Sequence, residues 1–429
     1  MRQSRTLTLV GLAGAALLSG TSPSTGQYVP PPQLVPGVDY SVPNYANSPV
    51  LTKFVDTLPG VTAAGAAVPG FYSVVNNLGN SIPVAVADTA AFAGSAYYQV
   101  ALLDYTQQVH SDMPATKFRG YVQIETPGST VTPAGSLHVA LTLPDGVTPL
   151  LFNGVQVYGY TKPSYLGPVI VATTGVPTRI KFYNLLPAGA AGDLFLPIDV
   201  SFAGAGTGPD GTLYSQNRAT LHLHGGDNPW ISDGTALQWI TPAGEPSNFK
   251  KGVSQQNVPD MLPLPVTGDG TATFYWPNAM SGRLMFYHDH AQGMTRLNPY
   301  AGEAAGYLLV DPTEATINAF APGGEIPLVV QEKAFVSDGT LPATFPAGAI
   351  APAATATVDP LWASNPAWGQ SKGSLWWPHV YMPNQNPNDL SGANPFGRWD
   401  YGAWFWPIFP SGVPPQSSAV PETFVDTPI

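Results

Sequence analysis

Four of the seven histidines in this 429-residue sequence lie in two His-x-His pairs, His222 with His224 and His288 with His290. On a β-strand, residues i and i+2 face the same side and lie about 6.5–7 Å apart. Each pair can therefore present two imidazoles to one side, close enough together to hold two neighbouring metal ions. Neutral imidazole suits copper, zinc, iron and nickel, so the residue type alone does not choose the metal.

The residues around each pair have the pattern of a half-buried strand. Leu221 and Leu223 alternate with the first pair, and Tyr287 and Asp289 alternate with the second, so these four side chains are expected on the opposite face. Two strands with unrelated surface histidines would be a simpler interpretation. It leaves unexplained why glycine or alanine follows each pair, where a ligand cage needs room. We therefore favour a metal site.

Short strands must position these pairs. The 45 glycines and 47 prolines divide the chain into brief segments and leave few long amphipathic helices, a pattern that favours an all-β sandwich. Strand signals become regular from residue 117 onward, with turn-forming residues between them. The predicted strands cover residues 118–125, 137–143, 169–172, 179–184, 271–276 and 306–310.

The chain divides into four regions by composition. Residues 1–26 have the charged head and short apolar centre of a secretory signal peptide, which predicts a secreted or periplasmic protein. Residues 27–116 comprise an extended Pro-rich arm and a segment that we leave unassigned. Residues 117–315 are predicted to form a first sandwich domain with both histidine pairs, and residues 325–429 are predicted to form an incomplete second domain rich in tryptophan.

Composition also limits the partners of the protein. There is no cysteine, so no disulfide stabilises an exported chain and its core must do so. Charged residues make up 10% of the sequence and the formal net charge is −11, which argues against nucleic acid or an anionic membrane as a partner. No apolar stretch after the signal region is long enough to span a bilayer.

The motifs resemble the first two copper motifs of the multicopper oxidases, particularly the bacterial laccase, spore-coat and bilirubin oxidase type. The resemblance lies in Leu-His-Leu-His-Gly at 221–225 with Asp233 and Gly234 after it, and in Tyr-His-Asp-His-Ala at 287–291 leading to 300–307. It covers residues from about 120 to 429. It implies a cupredoxin-like Greek-key sandwich, with one complete domain and the start of a second.

The resemblance also implies roles for individual residues. His222 matches a ligand of the type 2 copper, and His224, His288 and His290 match ligands of the coupled type 3 pair. Asp233 matches the acidic residue that supports proton delivery when dioxygen is reduced to water. Asp-Gly is also a common turn dipeptide, and a turn is the alternative interpretation of this residue.

The departures from the family limit what this chain can do. The third and fourth copper motifs are absent, and without cysteine the chain cannot form the blue-copper site that accepts electrons. His110, His138 and His379 are isolated and are interpreted as structural or exposed. The chain thus holds only half-sites for the type 2 and type 3 coppers.

We therefore expect the N-terminal portion of an oxidase, inactive alone, with the remaining ligands on a separately encoded C-terminal half or lost by truncation. The complete enzyme would oxidise a phenol, a pigment or a metal ion and reduce O2 to water. Two alternatives remain at this stage. One is a copper-binding cupredoxin-like module without catalysis, and the other is a vestigial truncated product.

Overall fold

A computed structural model describes residues 49–196, 198, 204–253, 261, 269–318, 320, 325–336 and 371–376. The proposed signal peptide and the first part of the Pro-rich arm lie outside the described residues, as does most of the proposed second domain with its tryptophan-rich stretch.

Strands account for nearly all the regular structure among the described residues. They are β1 (Val61–Ala63), β2 (Ala66–Ala67), β3 (Ile82–Pro83), β4 (Ala96–Gln107), β5 (Thr116–Gln123), β6 (Val139–Ala140), β7 (Leu151–Phe152), β8 (Val155–Gln156), β9 (Tyr158–Gly159), β10 (Leu166–Thr173), β11 (Thr178–Asn184), β12 (His222–His224), β13 (Thr271–Trp276), β14 (Arg283–His288), β15 (Ala304–Val310), β16 (Ala334–Phe335) and β17 (Leu375–Trp376). The helices are α1 (Asn298–Ala301) and α2 (Glu314–Asn318), with 3-10 turns at Gly189–Gly192 and Trp230–Ser232. Within the described ranges, every helix is too short to cross a membrane.

Two four-stranded sheets form the sandwich that carries the histidines. The site sheet has the order β10-β15-β14-β12, and the back sheet has the order β13-β11-β4-β5. The β10–β15 and β4–β11 pairs are parallel, and the other neighbours are antiparallel. From β10 to β14 successive strands alternate between the two sheets, so strands far apart in sequence become neighbours.

The core lies between the two sheets. Ile180 and Phe182 of β11 point inward and are fully buried, as are Tyr287 of β14 and Tyr307 of β15. Trp276, at the end of β13, is also fully buried and packs its ring 5.6 Å from that of Tyr307. Burying such large apolar surfaces is the main stabilising contribution, at about 25 cal/mol per Å². The site sheet is therefore a firm support for the side chains on its outer face.

The segment that sequence analysis leaves unassigned supplies the long strand β4. It pairs with β5 on one side and β11 on the other. Val100 and Leu102 face the inner core, whereas Ala101 and Leu103 lie in a second apolar cluster that the segment around Leu141 covers. Because both faces of β4 are buried, apolar residues lie on both of its faces, and its sequence lacks the regular alternation by which strands are usually recognised.

Most of the other predicted strands are present, with altered ends. β5, β10, β11, β13 and β15 coincide with predicted strands. The predicted strand at 137–143 is reduced to β6. At the proposed start of the second domain, Glu325 exchanges backbone hydrogen bonds with Gly70 and Tyr72 at 2.7 and 2.8 Å. The described part of that region thus contacts the N-terminal segment.

The outer face of the site sheet is only partly covered. The segment containing β1 and β3 packs over Val169 and Leu308. Leu284 lies opposite Leu308 on the same face, yet it is 45% exposed, and Phe286 is 42% exposed. The β14–β12 half of this face is therefore open among the described residues, and it is the half that carries the histidines.

Candidate metal centre

The pairing of β12 with β14 brings the two His-x-His pairs together. His222 lies directly opposite His288, and His224 lies opposite Phe286. His290 follows two residues after β14 ends. The alternating side chains are fully buried on the other face, as the sequence pattern predicts: Leu221, Leu223, Tyr287 and Asp289.

The four imidazole rings form one cluster. The ring centroid of His222 lies 4.8 Å from that of His290, 5.5 Å from His288 and 5.9 Å from His224. The His288 centroid lies 5.3 Å from His224 and 5.7 Å from His290. His224 Nδ1 and His288 Nε2 are only 3.1 Å apart. The structure thus gathers all four predicted histidines at one end of the site sheet.

Backbone carbonyls orient two of these rings. His222 Nδ1 donates to the carbonyl oxygen of Asp233, and His288 Nδ1 donates to that of Asp289, both at 2.6 Å. A proton on Nδ1 leaves Nε2 as the lone-pair atom of each neutral ring. Hydrogen bonds of this kind fix both the tautomer and the orientation of ligand histidines. The lone pair of His288 Nε2 can therefore accept a hydrogen bond from His224 Nδ1 or bind a metal ion.

Burial keeps these rings in the neutral form that metals require. It lowers the pKa of His222 below the ordinary histidine range, although the hydrogen bond to Asp233 opposes this. Burial lowers the pKa of His288 to about 4, and the three neighbouring imidazoles act in the same direction. A protonated imidazole cannot bind a metal ion. Both rings are consequently available as ligands at neutral pH.

The donor atoms fit a transition-metal ion. Ligand atoms of His222, His224 and His288 all lie within 4.8 Å of one another. Two imidazole nitrogens on one ion are at most about 4 Å apart, because each bond is about 2.0–2.1 Å long, so a small inward movement is sufficient. His290 is outside that set of three, but its buried Nδ1 has no hydrogen-bond partner among the described residues. A metal ion would satisfy such a nitrogen.

Asp233 lies beside the cluster at the end of a 3-10 turn. Its carboxylate Oδ1 is 3.5 Å from His222 Nδ1, and its side chain is 26% exposed. Gly234 follows with φ +65°, and a Cβ there would lie 2.0 Å from the carbonyl oxygen of Leu221. Only glycine permits this close approach. Asp233 thus lies in a turn and also close to His222, so its interpretations as a turn residue and as a proton-delivering carboxylate are compatible.

The isolated histidines make other contacts. His110 lies 3.7 Å from Asp56 and 3.9 Å from Asp112. His138 Nδ1 is 3.0 Å from Glu125, and its ring stacks on Tyr158. His379 lies outside the described residues.

Sequence reasoning missed two residues that contact the histidines. The ring of Phe286 stacks on His224 with centroids 4.6 Å apart and lies 5.1 Å from the His288 ring. Strand alternation signals this contact, because residues 286 and 288 share a face. Asp289 was expected only to point away from the site, but its buried carboxylate accepts several hydrogen bonds. The bond from Ala291 is local, but no local pattern identifies Thr220, which lies in a distant segment.

Known proteins with similar sequences include laccases, multicopper oxidases and a bilirubin oxidase. The chain is 25% identical over 293 residues to a laccase of Bacillus subtilis, covering 68% of this chain and 40% of the relative. It is 31% identical over 194 residues to a rice multicopper oxidase, LPR1 homolog 1, covering 44% and 28%. It is 24% identical over 250 residues to a bilirubin oxidase of Albifimbria verrucaria, covering 58% and 27%. No family model matches the sequence.

The described residues form an all-β sandwich with a cluster of imidazoles on one sheet, and the predicted cupredoxin-like fold class is confirmed. Over the part that these relatives match, the chain is similar in sequence to multicopper oxidases. It spans about 40% of the length of the Bacillus subtilis laccase and less of the other two relatives.

Proposed function

We propose that this chain supplies half of the trinuclear copper ligands of an exported multicopper oxidase. His222 would bind the type 2 copper, and His224, His288 and His290 would bind the type 3 pair. Convergence of the four imidazoles across β12 and β14 supports this most directly, with centroids 4.8–5.9 Å apart. Copper supplies one-electron redox chemistry at a site of this kind.

The protein side chains around the cluster would prepare it for binding. Carbonyl oxygens hold the His222 and His288 rings with Nε2 directed away from the backbone partner. Phe286 covers one side of His224 and limits the rotation of that ring. Ligands that are already oriented lose little freedom when the metal ion binds, which favours affinity.

Asp233 is proposed to carry protons to the site. Its carboxylate is close to His222 and partly exposed, so it can exchange protons with solvent on one side and with the ligand environment on the other. Reduction of dioxygen to water consumes protons, and a carboxylate at a site entrance can deliver them.

A second polypeptide is proposed to complete the site. Four histidines are half of the family's trinuclear set, and this sequence contains no cysteine for a blue-copper site. Leu284 and Phe286 form an exposed apolar surface on the same face as the histidines. A partner with the remaining ligands would cover that surface. A neighbouring coding sequence with His-x-x-His-x-His and His-Cys-His motifs is expected. Its absence from the genome would contradict the proposal of a second polypeptide.

Copper titration of the purified chain tests the ligand assignment. Cu(II) affinity should be measured by competition with a chelator of known affinity, for the wild type and for H222A, H288A and H110A. The first two variants should bind copper at least tenfold more weakly. H110A is the matched control, because the His110 ring contacts Asp56 and Asp112 instead. Equal affinity in all four proteins would refute the assignment.

An oxidase assay separates the proposed half-enzyme from a copper-binding module. The isolated chain should not consume oxygen with a phenolic dye, because its sequence provides no blue-copper site and only half of the ligands. Oxygen uptake that depends on the chain alone would overturn the half-site proposal. Tight, stoichiometric copper binding without oxygen uptake, whether or not a partner is present, would favour a module that stores or delivers copper.

A further inference from the structure

Asp289 separates the two histidines of the second pair, and its carboxylate joins three segments of the chain. Oδ1 accepts from the backbone N–H of Thr220 at 2.8 Å and from that of Ala291 at 3.1 Å. Oδ2 lies 3.2 Å from the same Ala291 N–H and accepts from Asn298 Nδ2 at 3.0 Å. The side chain is fully buried, so these partners replace water completely.

The positions of these partners relate them to the histidines. Thr220 lies two residues before His222, at the entrance to β12, and Ala291 directly follows His290. The backbone of Asp289 adds to this connection, because its carbonyl oxygen accepts from His288 Nδ1 at 2.6 Å. One residue therefore contacts the chain on both sides of the cluster.

We propose that Asp289 is a positioning residue that holds the two His-x-His motifs in a single ligand geometry. This inference rests on the proposed copper site. The pairing of β12 with β14 aligns His222 with His288, but β12 is only three residues long and lies at the edge of the sheet. The carboxylate connects the start of β12 to the chain beyond β14, where His290 is no longer part of the strand pairing.

Removing the carboxylate would leave two buried backbone donors without partners. A buried donor that loses its acceptor pays its full desolvation cost, and bonds to a charged acceptor are stronger than neutral ones. The segments at Thr220 and Ala291 would move so that their backbone N–H groups could hydrogen-bond to water. That movement would displace His222 and His290, because each lies within two residues of the lost bond.

An asparagine at position 289 would behave differently. The buried Oδ1 of Asn298 has no hydrogen-bond partner among the described residues. Rotation of the Asn298 amide would let this oxygen accept from an amide group at position 289. The oxygen of the new asparagine would still accept from Thr220 and Ala291. D289N should therefore retain the connection that D289A loses.

The test compares copper affinity in the wild type, D289A, D289N and N184A. Asn184 is also a buried polar residue that ties segments together, through bonds to Asn217 and Ile240 at 2.8 and 3.2 Å, so N184A controls for a general loss of stability. D289A should bind Cu(II) at least about tenfold more weakly, as is usual for the loss of a residue that orients metal ligands. D289N and N184A should bind close to the wild-type value.

A metal-free measurement accompanies the titration. Hydrogen exchange by mass spectrometry, on peptides spanning residues 218–224 and 286–292 of the copper-free chain, should show faster exchange in D289A and wild-type rates in D289N. Wild-type affinity in D289A, or an equal loss in D289A and N184A, would overturn the positioning role. A wild-type chain that binds no copper would instead refute the proposed function, and the exchange data would still report the connection.

Discussion

Glu303 is a fully buried carboxyl group, and neither of its oxygens has a hydrogen-bond partner among the described residues. Burial raises its pKa well above the ordinary carboxyl range, and the nearby charge of Asp289 adds to this effect, whereas Arg119 opposes it. Arg119 already donates to Asp104 at 2.8 Å and to the carbonyl oxygen of Gly192 at 2.9 Å. Because Arg119 is paired with these other groups, it only partly compensates a negative charge on Glu303. Ionisation of the buried Glu303 carboxyl therefore destabilises the fold.

The sign of the pH dependence follows from the raised pKa. Between pH 4.5 and the folded-state pKa, the folded chain holds a proton on Glu303 that the unfolded chain has released. Stability should therefore fall as pH rises through this window, by up to about 1.4 kcal/mol per pH unit for one proton. E303Q removes the titrating carboxyl group, so the free energy of unfolding of E303Q should increasingly exceed that of wild type as pH increases. E303L also removes the unpaired polar atoms, which should add about 1–3 kcal/mol at every pH.

Urea unfolding of the copper-free chain between pH 5 and 8.5 measures these differences. A chelator must be present throughout, because bound copper would stabilise the folded state by mass action. E332Q is the matched control, since Glu332 is exposed and the same substitution there should leave the pH dependence unchanged. A wild-type minus E303Q difference that stays constant across this range would refute the reasoning, as would an E303L variant less stable than wild type.

Two further substitutions probe the site and its supporting turn. Burial lowers the pKa of folded His288 to about 4, below the unfolded value of 6.5, so the free energy of unfolding should fall as pH drops from 6.5 towards 4. H288N should reduce this loss of stability in acid by up to roughly 3 kcal/mol. In urea unfolding, the same dependence of stability on pH in H288N and wild type would contradict this. G234A combines a positive φ with a Cβ 2.0 Å from the Leu221 carbonyl oxygen, whereas Gly175 has φ +77° and open space. G175A should cost about 1–2 kcal/mol and G234A about 1–3 kcal/mol more, so equal losses in thermal unfolding would show that the turn can relax.

The histidine motifs and the main strands could be predicted from local sequence. Strand alternation places His222 and His224 on one face and buries Leu221 and Leu223 on the other, because side-chain direction in a strand depends only on position along it. The same reasoning predicts β5, β11 and β13, whose bounds lie within two residues of those expected. The strand β4 escapes such reasoning, because a strand buried on both faces lacks a polar period.

The sequence by itself determined that this protein has two pairs of imidazoles on strands, no cysteine and the composition of an all-β sandwich. Only the tertiary structure decided that His222 lies opposite His288, that burial lowers the pKa of His288, and that the carboxylate of Asp289 connects Thr220 with Ala291. These features depend on register and on contacts between segments distant in sequence. A local pattern fixes the face on which a side chain lies, but its partners across the sheet depend on how the whole chain packs.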